Sequence, residues 1–399
     1  MTIRYFIFMV RFNKFHKWLP LIILTVAGFT FNTSELIPIG LLSDIAADFG
    51  ITEARAGLLI TIYAWVVALL SLPLTLYFSR VNFRRLMLCI VAIFFVSHIG
   101  SVLAQGYWTL MASRIGVACA HSIFWSIAPP MAVAVTPGKS RATALSAMVA
   151  GGGIALVAGL PLGRVLGLVA GWRVTFAALG LLAGLIFIGL YLTLPSLPQN
   201  DASESRKNIL KDVLCCRPLL MIYIITAVIV TGHYTGYSYI EPFMYRVVHM
   251  QEQAITLTLS LFGVAGLLGS YIMSRYFPKY PRRIILSACF GMPVIMLLLL
   301  PVSWIHPVLL ALLCILWGLA MTLYNIAFQN EIILFSPHNS AVAMSIYSGI
   351  FNLGIGSGAF VGGIVCEHGS MENIGYIGGM IALSAAIYAL FRFIPRMKI

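Results

Sequence analysis

The sequence predicts an all-α integral membrane protein, with twelve transmembrane helices in two pseudo-symmetric six-helix bundles. Three observations predict it. With 60% hydrophobic and 9% charged residues and a mean hydropathy of +0.97, the chain is far from the roughly 25% charged content of a soluble domain. Apolar stretches long enough to cross a hydrocarbon core of roughly 30 Å recur along the whole length, and they are continuous rather than alternating, as helices and not barrel strands require. Basic residues collect on alternate connections between these stretches.

Taken in order, span 1 covers 18–43 and follows Arg4, Arg11, Lys14 and Lys17. Arg4 and Phe6 to Val10 imitate a signal peptide, but the patch is short and cations interrupt it, so span 1 reads as an uncleaved signal anchor. Spans 2 and 3, at 54–79 and 86–104, are joined by Arg80, Arg84 and Arg85; spans 4 and 5, at 108–135 and 141–167, by Lys139 and Arg141; span 6 is 172–194. The polar stretch at 195–217, which holds Arg206, Lys207 and Lys211, then divides an N-terminal bundle, 1–194, from a C-terminal bundle, 218–399. Spans 7 to 12 are 218–246, 253–276, 283–302, 306–335, 340–366 and 371–394, with Arg275, Lys279, Arg282 and Arg283 between spans 8 and 9. The Arg pairs after spans 2 and 8, and the glycine-rich spans 5 and 11, mark a twofold repeat.

Of the 25 basic residues, 20 fall on the termini and the connections that share their side, while Asp44, Asp48, Glu53, Glu252, Glu367 and Glu372 fall on the other. The positive-inside rule therefore places both termini in the cytoplasm. The net charge of +13 is accounted for by this topology and by attraction to anionic lipid, and gives no support to nucleic-acid binding. The seven cysteines show no metal-ligand spacing, and no cofactor motif or further protein chain is called for; the protein is expected to work as a monomer. No His-Glu-x-x-His, Gly-x-Ser-x-Gly or P-loop pattern occurs, which argues against an enzyme.

The polar run Asn32-Thr33-Ser34-Glu35 lies within span 1. A carboxylate at mid-helix costs about 2.5–3.5 kcal/mol even on the lenient insertion scale, so Glu35 is expected to face a cavity and handle a proton, with Asn32 one turn away. The competing reading is a hydrogen bond to a neighbouring helix. Arg114 sits inside span 4, and His121 and Trp125 follow at helical spacing on the same face. Arg114 reads as a coupling residue or as a structural clasp. His121 and Trp125 read as cavity-lining, since imidazoles hydrogen-bond hydroxyl groups and indoles stack on the apolar faces of sugars. His233 and Tyr237 on span 7 and Asn352 on span 11 are further candidate substrate contacts. Glycines 349, 354, 358 and 362 are expected to permit close helix packing.

Several motifs carry a resemblance. Arg84-Arg85 resembles the end of the motif that major facilitator transporters place between helices 2 and 3, although Thr75, Ser79 and Asn82 occupy its usual glycine and acidic positions. Ser113-Arg114-Ile115-Gly116 resembles the helix 4 arginine of proton-coupled members. Gly159-Leu160-Pro161-Leu162-Gly163, followed by Gly171-Trp172-Arg173, resembles the helix 5 antiporter motif. Together with Phe31-Asn32-Thr33-Ser34-Glu35, Tyr63-Ala64-Trp65, His121-Ser122-Ile123-Phe124-Trp125, the segment from His233 to Phe243 and Ser348-Gly349-Ile350-Phe351-Asn352, the chain closely resembles bacterial sugar efflux transporters of the drug:proton antiporter-1 family. The resemblance implies proton-driven export of sugars such as arabinose, lactose or thiogalactosides across a bacterial inner membrane. Export of amphipathic drugs, as related antiporters perform, is the alternative. Composition and spacing alone indicate a polar-solute transporter.

Overall fold

Each of the twelve apolar stretches folds as a helix in the computed structural model, which describes residues 2–77, 81–137, 141–195, 212–336 and 340–397, with the backbone alone for 2–16. The helices are α1 (Thr2–Gly40), α2 (Glu53–Tyr77), α3 (Phe83–Val102), α4 (Tyr107–Val135), α5 (Arg141–Ile154, a π-helical turn Ala155–Gly159, then Leu160–Ala170) and α6 (Trp172–Thr193). The second half comprises α7 (Arg217–Tyr237, continued by Ile240–Pro242 and Phe243–Val247), α8 (Glu252–Tyr276), α9 (Pro281–Leu297, then Leu299–Ser303), α10 (Pro307–Phe335), α11 (Ser340–His368) and α12 (Ile374–Tyr388, then Ala389–Phe393). Most of the 195–217 linker, Arg80, Lys139, Lys398 and the side chains of Arg4, Arg11, Lys14 and Arg141 lie outside the described residues.

Local chemistry sets the boundaries. Prolines at the first turns of α7, α9 and α10 start these helices where a missing N–H costs nothing. Asn82 caps α3 by accepting from the Arg84 N–H at 2.9 Å. Gly171, at φ 89°, lets α5 stop and α6 begin with no intervening loop, a backbone turn that a side chain would strain.

Two spans depart from straight helices. Among the described residues ten helices are long and apolar enough to cross a membrane, and α4 makes eleven once its 47° bend between Trp125 and Ile127 is bridged. The bend follows from Pro129 and Pro130, which give no N–H to the carbonyls one turn back. The remaining span, α9, is shorter in one piece than the stretch read from sequence, since Pro301 withholds its bond from Leu297 and the helix breaks at Leu298.

Helix packing repeats with a period of six. In the first half α1 packs on α5 and α6, α2 on α4, and α3 on α4 and α6; in the second half α7 packs on α11 and α12, α8 on α10, and α9 on α10 and α12. The halves meet along two seams, α2 with α11 and α5 with α8. On the second seam α8 packs against the π-helical turn of α5 and the segment after it, so the halves close at the face away from the chain termini, here the distal face.

The glycines make these approaches possible at equivalent places. A Cβ on Gly151 of α5 would overlap the Thr25 carbonyl oxygen of α1, and one on Gly358 of α11 would overlap the Thr231 carbonyl oxygen of α7. Gly354 and Gly362 likewise sit against α7, whereas Gly349 lies at an ordinary 3.7 Å from the Ala68 carbonyl of α2.

Candidate substrate and proton site

The polar run of α1 is held in place by its own neighbour. Phe31 stacks between Phe94 of α3 and Phe124 of α4, with centroid distances of 3.9 and 4.2 Å, which fixes the rotation of α1. That rotation buries Thr33 and Ser34 and leaves Asn32 and Glu35 half-buried.

Ser34 joins three helices. His98 Nδ1 lies 2.9 Å from the Phe94 carbonyl, which can only accept, so the neutral imidazole carries its proton there and presents a bare Nε2. The Ser34 hydroxyl, 3.0 Å away, then donates to Nε2, and its oxygen accepts from Arg114 Nη1 at 3.2 Å.

Arg114 is 1% exposed, with its guanidinium 4.5 Å from the centroid of the Tyr63 ring. Among the described residues its Nε and Nη2 have no hydrogen-bond partner and no carboxylate lies within ion-pair distance of it. The Tyr63 hydroxyl is 2.5 Å from His121 Nδ1, and His121 Nε2 is 3.9 Å from the Glu35 carboxylate. His121 is buried, while the Glu35 side chain keeps 19% of its surface exposed. The structure thus gathers Glu35, Arg114 and His121 into one cluster and adds Tyr63, Ser34 and His98 to it. Asn32 faces Gly152 of α5, and half-buried Trp125, at the α4 bend, stands edge-on to Phe124 and beside Gly28.

In the second half His233 and Tyr237 are stacked on each other at 5.1 Å and turn toward α8 and α10, against Phe262 and the edge of Trp317. Both are buried, and among the described residues His233 Nδ1 and Trp317 Nε1 have no hydrogen-bond partner. Tyr234, one residue on from His233, stands edge-on to the rings of His233 and Tyr237, beside Gly358 of α11 and within the electrostatic reach of Glu35. Asn352 donates to the Ser348 carbonyl at 3.0 Å, and its own oxygen has no partner among the described residues. Nearby, Tyr347 donates to Asn325 at 3.0 Å, and Gln329 donates to the same oxygen at 2.9 Å.

At the distal face an ionic lock joins the halves. Arg164 of α5, 1% exposed, pairs with Glu241 of α7 at 3.3 Å and with Glu252 of α8, and also donates to the Gly40 carbonyl. Glu241 is buried rather than solvated, accepting from both the hydroxyl and the backbone N–H of Ser43, at 3.0 and 3.3 Å. Arg246 pairs with Glu53 across the same face. The Gly-Trp-Arg motif steadies this end: Arg173 lies 4.2 Å over the Trp172 ring and donates to Asp48 at 2.7 Å, anchoring the short helix Leu42–Phe49 to α6. Among the described residues no ion pair joins the halves at the terminal face. Arg164 had one signal in the sequence, a lone cation inside span 5 directly after the Gly-Leu-Pro-Leu-Gly motif.

Two packed six-helix halves, charged groups buried between their helices and an ionic lock at one end define a secondary transporter rather than an enzyme. The chain belongs to the Major Facilitator Superfamily, whose sequence profile matches residues 22–339. Its fold is similar to that of the nucleoside transporter NupG, at 14% identity and a TM-score of 0.78, over 94% of this chain and 100% of that one. It is also similar to a D-xylose-proton symporter, at 15% identity and 0.75, over 94% and 97%. A bacterial homologue of the human lysosomal transporter Spinster, captured inward-facing and unoccupied, matches at 18% identity and 0.71, over 95% and 94%.

Proposed function

We propose that this transporter exports sugars, of the arabinose, lactose or thiogalactoside kind, in exchange for protons. The observation that carries the reading is the cluster of Glu35, His121 and Arg114: a mostly buried acid, 19% exposed, on the rim of a buried polar network, with a buried cation close by and not bonded to it. Such an acid can exchange its proton with either side as access alternates, while the cation keeps the ionised form tolerable. Asn32, Trp125 and Asn352 are assigned to the substrate wall, with Tyr234 added from the second half because it lies within the electrostatic reach of Glu35; His233 and Tyr237, turned into the packing around Trp317, are left out of it. The bundles 1–194 and 218–399 rock about the site. The terminal face, rich in Arg and Lys, is the cytoplasmic side of a bacterial inner membrane, which makes the distally locked form the inward-facing one.

Counterflow in proteoliposomes tests the substrate class. Vesicles preloaded with unlabelled arabinose, lactose or a thiogalactoside are expected to accumulate the same labelled sugar transiently. Exchange of an amphipathic cation such as ethidium, with none of any sugar, would favour the drug-export reading instead.

A further inference from the structure

Tyr63 is 2% exposed, and among the described residues His121 Nδ1 is the only hydrogen-bond partner of its hydroxyl. If Tyr63 accepted from an Nδ1–H, its own O–H would be buried with nothing to accept it. The hydroxyl therefore donates to Nδ1, and the neutral imidazole carries its proton on Nε2, on the side of Glu35. The 3.9 Å between Nε2 and the carboxylate oxygen is too long for a hydrogen bond and too short for a molecule to sit in line between them. A single oxygen beside the gap reaches both at about 2.8 Å.

We propose that one hydroxyl of the transported solute occupies this position, accepting from His121 Nε2–H and donating to the ionised Glu35 carboxylate, and that Tyr63 is the positioning residue that fixes the tautomer the bridge needs. This rests on the export reading and specifies how its two ligands compete. Binding replaces the proton on Glu35: the carboxyl gives H⁺ to water, and the solute O–H donates to the oxygen left behind. Protonation removes that charge-assisted bond and releases the solute. The groups around the bridge are Ser34 and Glu35 on α1, Tyr63 on α2, His98 on α3 and Arg114 on α4, with Tyr234 of α7 within electrostatic reach of Glu35. Arg114 is the fixed charge among them and favours the ionised carboxylate.

The test uses the full chain in nanodiscs, with L-arabinose and lactose as probes and ¹⁵N-histidine spectra as a readout that needs no solute. His121 is expected to show the Nε2–H tautomer in the wild type. Tyr63→Phe, which keeps the ring under Arg114, is expected to let the tautomers mix, weaken sugar binding roughly 5- to 50-fold and flatten its loss at acidic pH. His121→Gln retains an N–H donor without a tautomer, so adding Tyr63→Phe to it is expected to change affinity little. A wild-type Nδ1–H tautomer, or a Tyr63→Phe protein with unchanged affinity and pH profile, would overturn the bridge. Neither result touches the export reading, which fails separately if sugar efflux through the wild-type protein brings no protons in.

Discussion

Glu35→Gln is expected to abolish uphill, proton-driven sugar transport while leaving sugar exchange in place. Gln keeps the size and hydrogen-bonding capacity of the protonated acid but cannot release a proton, so the site is confined to one protonation state. Proton-driven accumulation should fall to the level of protein-free vesicles, and counterflow should persist at reduced affinity. The readout is labelled-sugar accumulation under an imposed pH difference, with expression and folding checked in parallel. Accumulation at the wild-type level would move the coupling elsewhere. Glu331 of α10 would then be the next acid to test, being 2% exposed with one oxygen lacking a partner among the described residues, whereas Glu241 is occupied by Arg164 and Ser43.

The second large effect is expected at the distal lock. Arg164→Ala leaves Glu241 buried without its cation, and breaking a buried pair in this way costs about 3–5 kcal/mol. Charged against the distally closed form alone, that is a shift of more than 100-fold in the balance between states. Glu252 adds little to it, because its side chain is 38% exposed and water screens the pair. Spin labels on exposed Thr52 and Gln251 report the separation of the halves at this face, and the variant is expected to lose the short distance that dominates in the wild type.

Asp44 beside the lock gives it a pH dependence of known sign. Burial raises the Asp44 carboxyl above its ordinary range, Arg164 works against that, and Glu252 reinforces it. Ionised Asp44 therefore opposes the closed form, and the penalty lifts as pH falls through its raised value. Acid on the distal face is expected to favour closure.

The sequence carried the architecture further than the site. The helical spans and the paired glycine-rich helices were legible because hydropathy, charge bias and small-residue spacing act locally along the chain. The α4 bend and the α9 break were legible in principle from Pro129, Pro130 and Pro301, but apolar length alone conceals them. The candidate site residues carry a different signal, polarity inside an apolar segment, which gives depth and says nothing of helix rotation. Hence Glu35, Arg114 and His121 converge, while His233 and Tyr237, equally conspicuous in sequence, turn into the aromatic packing around Trp317. Pairings such as Arg164 with Glu241, or Tyr63 with His121, join residues far apart in the chain and become visible only once the helices are packed.

The most direct test of the central claim is the direction of proton flow driven by sugar alone. Vesicles containing the wild-type protein, an internal pH indicator and arabinose or lactose are diluted into sugar-free buffer with no initial pH difference. Exchange of outgoing sugar for incoming protons predicts that the lumen acidifies and that Glu35→Gln vesicles show no change. Alkalinisation, the signature of symport, or sugar efflux with no proton movement would contradict the account.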